Sequence, residues 1–226
     1  MLLSLAALAL AAKPIEVVIV LGLMEPSERY RALDRADALL AALQANSTVR
    51  VEIVAGPTVV QPATDDFVLA RRALKGRDKY VGDPILYPDS LSAPVQRAMI
   101  RLAEAPETRG ALVYITQRDD LGLDGIYAER ARESGIALFP VIVSRLDPHV
   151  FGDTGVWSSE GYVSTFSTAN LYGDRLVPDI GSPDSEAISA TYEAFRRMSR
   201  AADRTGGVAT KGDVAKVAVR ILGGKP

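Results

Sequence analysis

The stretch Val17-Val18-Ile19-Val20-Leu21, followed directly by Gly22-Leu23-Met24-Glu25-Pro26, decides the fold. Its apolar, mostly β-branched half predicts a strand, and Pro26 suits the first turn of a helix. A strand that runs straight into a helix is typical of an open α/β sheet, in which ligands bind at the carboxyl ends of the strands. Glu25 is the only carboxylate in this turn. The turn therefore has the right position for chemistry but few residues that could perform it.

The composition bounds the class of protein. The chain has 226 residues, 48% hydrophobic and 24% charged, which permits one large domain or two small ones around a substantial core. A net charge of −2 and a pI near 5.6 leave no basic excess for nucleic acid or for an anionic membrane surface. Because the chain has no cysteine, disulfides, thiolate zinc sites and thiol nucleophiles are excluded.

The first twelve residues, Met1 to Ala12, form an apolar, alanine-rich run. A bilayer span needs about 20 residues, so the run is too short to cross a membrane. It is typical of the apolar part of a secretory signal peptide, which predicts a protein exported to the periplasm or the outside of a bacterial cell. No Lys or Arg precedes Lys13, so a start codon assigned too late and a buried N-terminal helix stay open as alternatives. No other run is apolar enough to predict a membrane span in the mature chain.

After Lys13, short β-branched runs alternate with longer amphipathic runs, which predicts βαβ units. The expected fold class is α/β, a Rossmann-like three-layer sandwich with a mostly parallel central sheet and helices on both faces. Val49 to Val54 alternates charged and apolar residues, which suits an outer, half-exposed strand. Thr58 to Val60 is expected to pair back as an antiparallel edge strand. The remaining predicted strands are 15–21, 110–116, 136–143 and 208–210, and the predicted helices begin at Pro26 and cover 65–74, 89–103, 125–133, 185–204 and 213–222.

A long segment at about residues 145–183 breaks this alternation, with many glycines and prolines. A loop of this length in a compact domain is usually functional or has local structure of its own. It contains Trp157 and Tyr162, and aromatic side chains in a loop on a rigid scaffold are plausible anchors for a partner. The alternative is that these aromatics cover the edge of the sheet as a small satellite core.

The order of these signals resembles that of a von Willebrand factor A-like domain of the exported bacterial type. Residues 111–116, Ala-Leu-Val-Tyr-Ile-Thr, resemble the strand that ends in the family's Thr-Asp-Gly. Residues 133–139 are similar to its passage from a helix through a glycine into a strand. Residues 201–207 resemble its Leu-Ala-x-x-Thr-Gly-Gly ending. After the apolar run at 1–12, interpreted above as a signal segment, the resemblance implies one domain at 13–226, with an insertion at about 145–183.

The family also implies a metal-ion-dependent adhesion site at the top of the sheet. There an Asp-x-Ser-x-Ser loop, a distant Thr and the Asp of Thr-Asp-Gly hold Mg²⁺, and a partner's carboxylate completes the shell. Mg²⁺ needs hard oxygen ligands in near-octahedral geometry. In this chain the corresponding positions hold Gly22, Met24, Pro26, Thr116, Gln117 and Arg118, and the distant Thr falls near Asp89. We therefore expect the site to be degenerate, with no metal and no other cofactor.

Several polar residues remain candidates for a site at the top of the sheet. A displaced cation site could use Glu25, Ser27, Asp89, Asp119 and Asp120. An unrecognised Rossmann-like enzyme could use Asp89, Asp119 or Glu25 as its acid or base. The structural alternative is that Glu25 stabilises a helix N-terminus and that Asp119 and Asp120 are ordinary loop residues. His149 is the only imidazole, and no nucleotide-binding or nucleophile-elbow motif occurs.

The function that these observations favour is a non-enzymatic protein–protein interaction module without the usual Mg²⁺ site. Its partner is expected to be a protein, recognised by the top of the sheet and the 145–183 segment. The binding residues predicted from the sequence are Glu25, Asp89, Arg118, Asp119, Asp120, Trp157 and Tyr162. The alternatives are an enzyme that uses Asp89, Asp119 or Glu25, and a domain with a non-standard cation site.

Overall fold

A five-stranded sheet forms the centre of the protein. The structure, a computed structural model, describes residues 13–22, 26–55, 58–75, 92–117, 122–143 and 183–223. The strand order is β3-β2-β1-β4-β5. The β1–β2, β1–β4 and β4–β5 pairs are parallel, and β3 runs antiparallel to β2. The strands are β1 (Ile15–Leu21), β2 (Val49–Ala55), β3 (Thr58–Thr64), β4 (Arg109–Thr116) and β5 (Ala137–Ile142).

Helices cover both faces of this sheet, which confirms the predicted fold class. The first hydrophobic core lies between the sheet and α1, α2 and α6, and the second lies between the sheet and α3, α4 and α5. No helix in the described part of the chain is long and apolar enough to span a membrane. The helices are α1 (Pro26–Leu43), α2 (Phe67–Leu74), α3 (Ser92–Ala103), α4 (Ala128–Glu133), α5 (Pro183–Thr205) and α6 (Val214–Ile221), and a π-helical turn at Leu123–Tyr127 leads into α4.

The prediction that Val49 to Val54 is an outer, half-exposed strand is wrong. This strand, β2, lies between β1 and β3, and only Arg50 among its residues is exposed. The prediction fails because β3 continues to Thr64 and pairs with most of the length of β2. The charged residue Glu52 does not indicate that this face of the strand is exposed to solvent, since its side chain is buried and forms an ion pair with Arg101 of α3.

Strand β3 is longer than the sequence predicts. It includes Gln61 and Pro62 and has register shifts against β2. A proline is tolerated at a sheet edge because its missing N–H is not needed for pairing there. Asp66 then begins α2, since its carboxylate accepts a hydrogen bond of 2.9 Å from the backbone N–H of Leu69.

The sequence Thr205-Gly206-Gly207 fastens the end of α5 to β5. Gly206 has a φ of +78°, which glycine adopts at little cost after a helix. The N–H of Gly207 donates to the carbonyl of Ala202 at 2.9 Å. The hydroxyl of Thr205 accepts a hydrogen bond of 3.0 Å from the backbone N–H of Leu138 in β5. The Thr-Gly-Gly sequence that resembles the family's ending thus ends α5 and attaches it to β5.

The segment after these glycines pairs with β5 at one residue. Thr210 donates to the carbonyl of Pro140 and accepts from the N–H of Ile142, both at 2.9 Å. The predicted strand at 208–210 is therefore a single parallel bridge between Val141 and Thr210. It ends where α6 approaches, with Asp213 capping that helix.

We predict that Gly207→Ala destabilises the fold strongly. A Cβ at Gly207 would overlap the carbonyl oxygen of Leu138 and lie 2.7 Å from its carbonyl carbon, and a backbone cannot yield as a flexible side chain can. The expected loss in the free energy of unfolding is about 3 kcal/mol or more, measured by chemical denaturation. Gly206→Ala is the matched control. A Cβ there meets nothing within 4 Å, so it should cost only the left-handed strain of about 1–2 kcal/mol. Equal losses in the two variants would contradict the packing argument.

Candidate functional site

The carboxyl ends of β1, β4 and β5 are joined by backbone hydrogen bonds. The N–H of Gly22, just after β1, donates to the carbonyl of Ile115 in β4 at 2.8 Å. The N–H of Val143, just after β5, donates to the carbonyl of Thr116 at 2.9 Å. The described part of this strand-end region is therefore a continuous backbone surface, and Thr116 is fully buried in it.

Gly22 leaves no room for a side chain in this region. A Cβ at this position would lie 2.7 Å from Oγ1 and 2.8 Å from Cβ of Thr116. It would also lie 2.9 Å from Cε2 of Tyr114, a side chain that is fully buried. Cβ atoms in real proteins do not approach other atoms this closely. The space beside the strand end is occupied by Thr116 and Tyr114.

These residues do not fit the Mg²⁺ site that the family resemblance implies. By the family resemblance Gly22 takes the position of the first carboxylate ligand, and it offers neither a side-chain oxygen nor the space for a Cβ. Gln117 stands where the second carboxylate would stand, and an amide oxygen lacks the negative charge that Mg²⁺ favours. Within the described ranges, no three His, Cys, Asp or Glu residues are placed to hold a metal ion together.

The predicted binding residues lie outside the described residues. These are Glu25, Asp89, Arg118, Asp119, Asp120, Trp157 and Tyr162. His149 lies outside them as well. Their assignment to one surface stays a prediction.

The described residues that follow Asp120 form a tethered π turn that the sequence did not reveal. Gly122 has a φ of +59°, and Gly125 breaks the helical geometry at φ −90° and ψ −127°. The carboxylate of Asp124 accepts a hydrogen bond of 2.9 Å from Arg200, and its backbone carbonyl accepts one of 3.1 Å from Arg204. Both arginines belong to α5, the helix that follows the 145–183 segment.

This tether joins the turn at Leu123–Tyr127 to α5, the helix that follows the 145–183 segment in the sequence. Gly125 departs from helical φ/ψ within this turn, so the turn is a kinked entry into α4. The local sequence signal is the pair of glycines in Gly122-Leu-Asp-Gly125, which permits such a turn. Nothing in the sequence near Asp124 points to arginines about 80 residues away, since the ion pair exists only because α5 packs against the π turn.

A groove of about 470 Å³ lies between α1 and α2, and not at the strand ends. Arg71 donates two hydrogen bonds of 2.7 Å to the two carboxylate oxygens of Asp37. The Arg71 hydrogen bonds hold the pKa of Asp37 below its usual value, although burial opposes the shift. Both side chains are about two-fifths exposed, so solvent screening leaves the pair little effect on stability. The groove is lined by Leu33, Asp34, Asp37, Val68, Arg71, Arg72, Leu74 and Lys75.

Solved structures share this arrangement of strands and helices. An aerotolerance-related membrane protein from Bacteroides fragilis, crystallised with multiple mutations to serines, matches with a TM-score of 0.50 at 17% identity. The match covers 92% of this chain and 99% of that one, and the order β3-β2-β1-β4-β5 with an antiparallel edge strand agrees with the family expectation. The chain has a von Willebrand factor A-like fold.

Other similar structures overlap less closely. The SpRpn10 VWA domain matches with a TM-score of 0.44 at 16% identity, over 65% of this chain and 84% of that one. The manganese-loaded TRAP protein of Plasmodium vivax matches with a TM-score of 0.39 at 12% identity, over 57% of each chain. Neither adds to the conclusion about the fold. No protein-family model matches the sequence, and no curated protein matches it.

We predict that a carboxylate cannot be restored at the first ligand position of this von Willebrand factor A-like fold. Gly22→Ala should lower the free energy of unfolding by about 1–3 kcal/mol, because its Cβ must displace Thr116 and Tyr114. Gly22→Asp should be at least as destabilised and should bind no Mg²⁺ in isothermal titration calorimetry. A Gly22→Asp variant that unfolds like the wild-type chain and binds Mg²⁺ would contradict the packing seen here.

Proposed function

We propose that this chain is a non-enzymatic protein–protein interaction module that binds its partner without a bridging Mg²⁺. The von Willebrand factor A-like fold generally serves interaction with other proteins, and the described part of the chain has that fold. The observation that carries the Mg²⁺-independent part is the packing of Gly22 against Thr116 and Tyr114. A carboxylate from the partner would therefore meet no bound Mg²⁺ whose coordination shell it could complete.

The proposed contact surface combines the top of the sheet with the 145–183 segment. Aromatic anchors at Trp157 and Tyr162 would bury apolar area, and the polar contacts would come from Glu25, Asp89, Arg118, Asp119 and Asp120. The tether from Asp124 to Arg200 and Arg204 supports this arrangement, because it restrains the chain between Asp120 and α4 against the helix that follows the aromatic segment. A restrained loop loses less conformational entropy on binding than a free one.

We predict that partner capture from a native cell envelope is insensitive to EDTA and depends on the two aromatics. Trp157→Ala and Tyr162→Ala should each weaken binding of the captured protein by about thirtyfold, the equivalent of about 2 kcal/mol for a central aromatic anchor. Tyr30→Ala is the control, because Tyr30 is an aromatic on α1 with 65% of its surface exposed. Affinity is measured with purified partner, with and without EDTA.

Three outcomes would contradict the proposal. Loss of capture in EDTA, or heat of binding with Mg²⁺, Mn²⁺ or Ca²⁺ in calorimetry, would favour the cation-site alternative. If Tyr30→Ala weakened partner binding as much as Trp157→Ala and Tyr162→Ala do, the contact surface could not be assigned to the aromatic segment. Turnover of a small-molecule substrate that is lost in Asp89→Asn or Asp119→Asn, with partner binding intact, would favour the enzyme alternative.

We also propose that the protein is exported and acts in the cell envelope. The support is the apolar run from Met1 to Ala12, and the similar structure from Bacteroides fragilis is described as a membrane protein. Mass spectrometry of the protein from the periplasmic fraction should find a mature N-terminus at or next to Lys13. A chain that retains Met1 to Ala12 and stays in the cytoplasmic fraction would contradict export.

A further inference from the structure

We propose that Glu16, Glu52 and Arg101 form a proton-responsive latch, which holds α3 against the sheet more tightly when Glu52 binds a proton. The three residues come from three elements, β1, β2 and α3. The latch is separate from the proposed partner surface and does not rest on it.

The latch lies on the face of the sheet that α3 covers. Glu16 and Glu52 are on neighbouring parallel strands, and Glu52 pairs with Val18, two residues beyond Glu16. Their side chains therefore point to the same face, on a diagonal of the kind that long side chains can bridge. Only 7% of the Glu16 side chain and 10% of the Glu52 side chain are exposed. Arg101, in the last turn of α3, reaches down between them.

One guanidinium cannot satisfy both carboxylates equally. Nη1 of Arg101 donates to Oε1 of Glu16. Nη2 lies 3.2 Å from Oε2 of Glu52 but makes no hydrogen bond with any described residue, so that contact attracts by charge without hydrogen-bond geometry. A buried carboxylate is stable only when its charge is paired and its oxygens accept hydrogen bonds. The cluster holds two negative charges and one positive charge, and Glu52 is the less well satisfied member.

No other described charge that faces the cluster neutralises it. Arg50 lies on the same face of β2, but it is exposed and its Nη2 donates to the carbonyl of Ala63 in β3, at 3.4 Å. Arg97 lies one turn before Arg101 on α3 and is exposed. The described residues of β3 carry no charged side chain, and the residue of β4 that pairs with Glu16 is Gly110.

These surroundings raise the pKa of Glu52 above its ordinary value. Burial is the largest cause, Arg101 opposes it, and repulsion from Glu16 adds to it. Between the ordinary and the raised pKa, the folded chain binds more protons than the unfolded chain, so stability increases as the pH falls through this range. Above the raised pKa, the second buried charge weakens the attachment of α3. Below it, Arg101 faces one carboxylate, and the charges balance.

The test compares Glu52→Gln with the wild-type chain between about pH 8 and about pH 5. Glutamine keeps the size of the side chain and removes its charge. At the upper end of the range Glu52→Gln should be the more stable protein in chemical denaturation, and its advantage should disappear on acidification. Glu104→Gln, at an exposed position just beyond α3, is the matched control and should show a difference from wild type that does not change with pH.

Hydrogen exchange locates the effect on α3. The protection of α3 amides relative to α1 amides should rise on acidification, by up to about tenfold for each unit by which the Glu52 pKa is raised, and this rise should vanish in Glu52→Gln. A carboxyl NMR titration in which Glu52 titrates at or below its ordinary pKa would overturn the proposal. A Glu52→Gln variant less stable than wild type by the same amount at every pH would also overturn it.

Discussion

The complete burial of β1 is the constraint on which the rest of the structure depends. The side chains from Val17 to Leu21 have no exposed surface, because β1 has a parallel partner on each side and helices over both faces. Each buried valine or isoleucine contributes about 1.5–3 kcal/mol relative to an exposed one. A strand of this kind has no polar side to show to water, so it must occupy the centre of the sheet. The positions of β2 and β4 beside it follow.

At the carboxyl end of β1, closely packed side chains fill the space in which a ligand-binding side chain would otherwise lie. The backbone of Gly22 lies against Thr116 and Tyr114, and the hydrogen bond to Ile115 holds it there. Gly207 lies against the backbone of Leu138 in the same manner. At both positions the absence of a side chain allows two elements to approach each other closely. A metal site with a side-chain ligand at position 22 would require these elements to move apart. The described strand ends thus act as a scaffold, and under the proposed function the binding residues would lie around it.

Charged residues hold the helices to this scaffold in two different environments. On the surface, Arg200 and Arg204 restrain the π turn through Asp124, with water able to reach the groups. In the interior, Arg101 joins α3 to two strands through Glu16 and Glu52, where each carboxylate is costly unless it is satisfied. The same type of ion pair is thus exposed to solvent screening in one place, and in the other it includes two buried carboxylates that share one arginine.

The sequence by itself determined the elements and their order, because each depends on local patterns. The apolar run at Val17 to Leu21, the proline at Pro26 and the glycine at Gly135 set the boundaries of elements to within a few residues of those observed. The family resemblance also places Gly22, which has no side chain, at the expected position of a metal ligand. Only the tertiary structure decided what alternation in β2 meant, since the partner of Glu52 lies about 50 residues away on α3. The hydrogen bonds from Arg200 and Arg204 to Asp124, and the filled space beside Gly22, could not be predicted from the sequence either, because each results from contacts between elements that are distant in the chain.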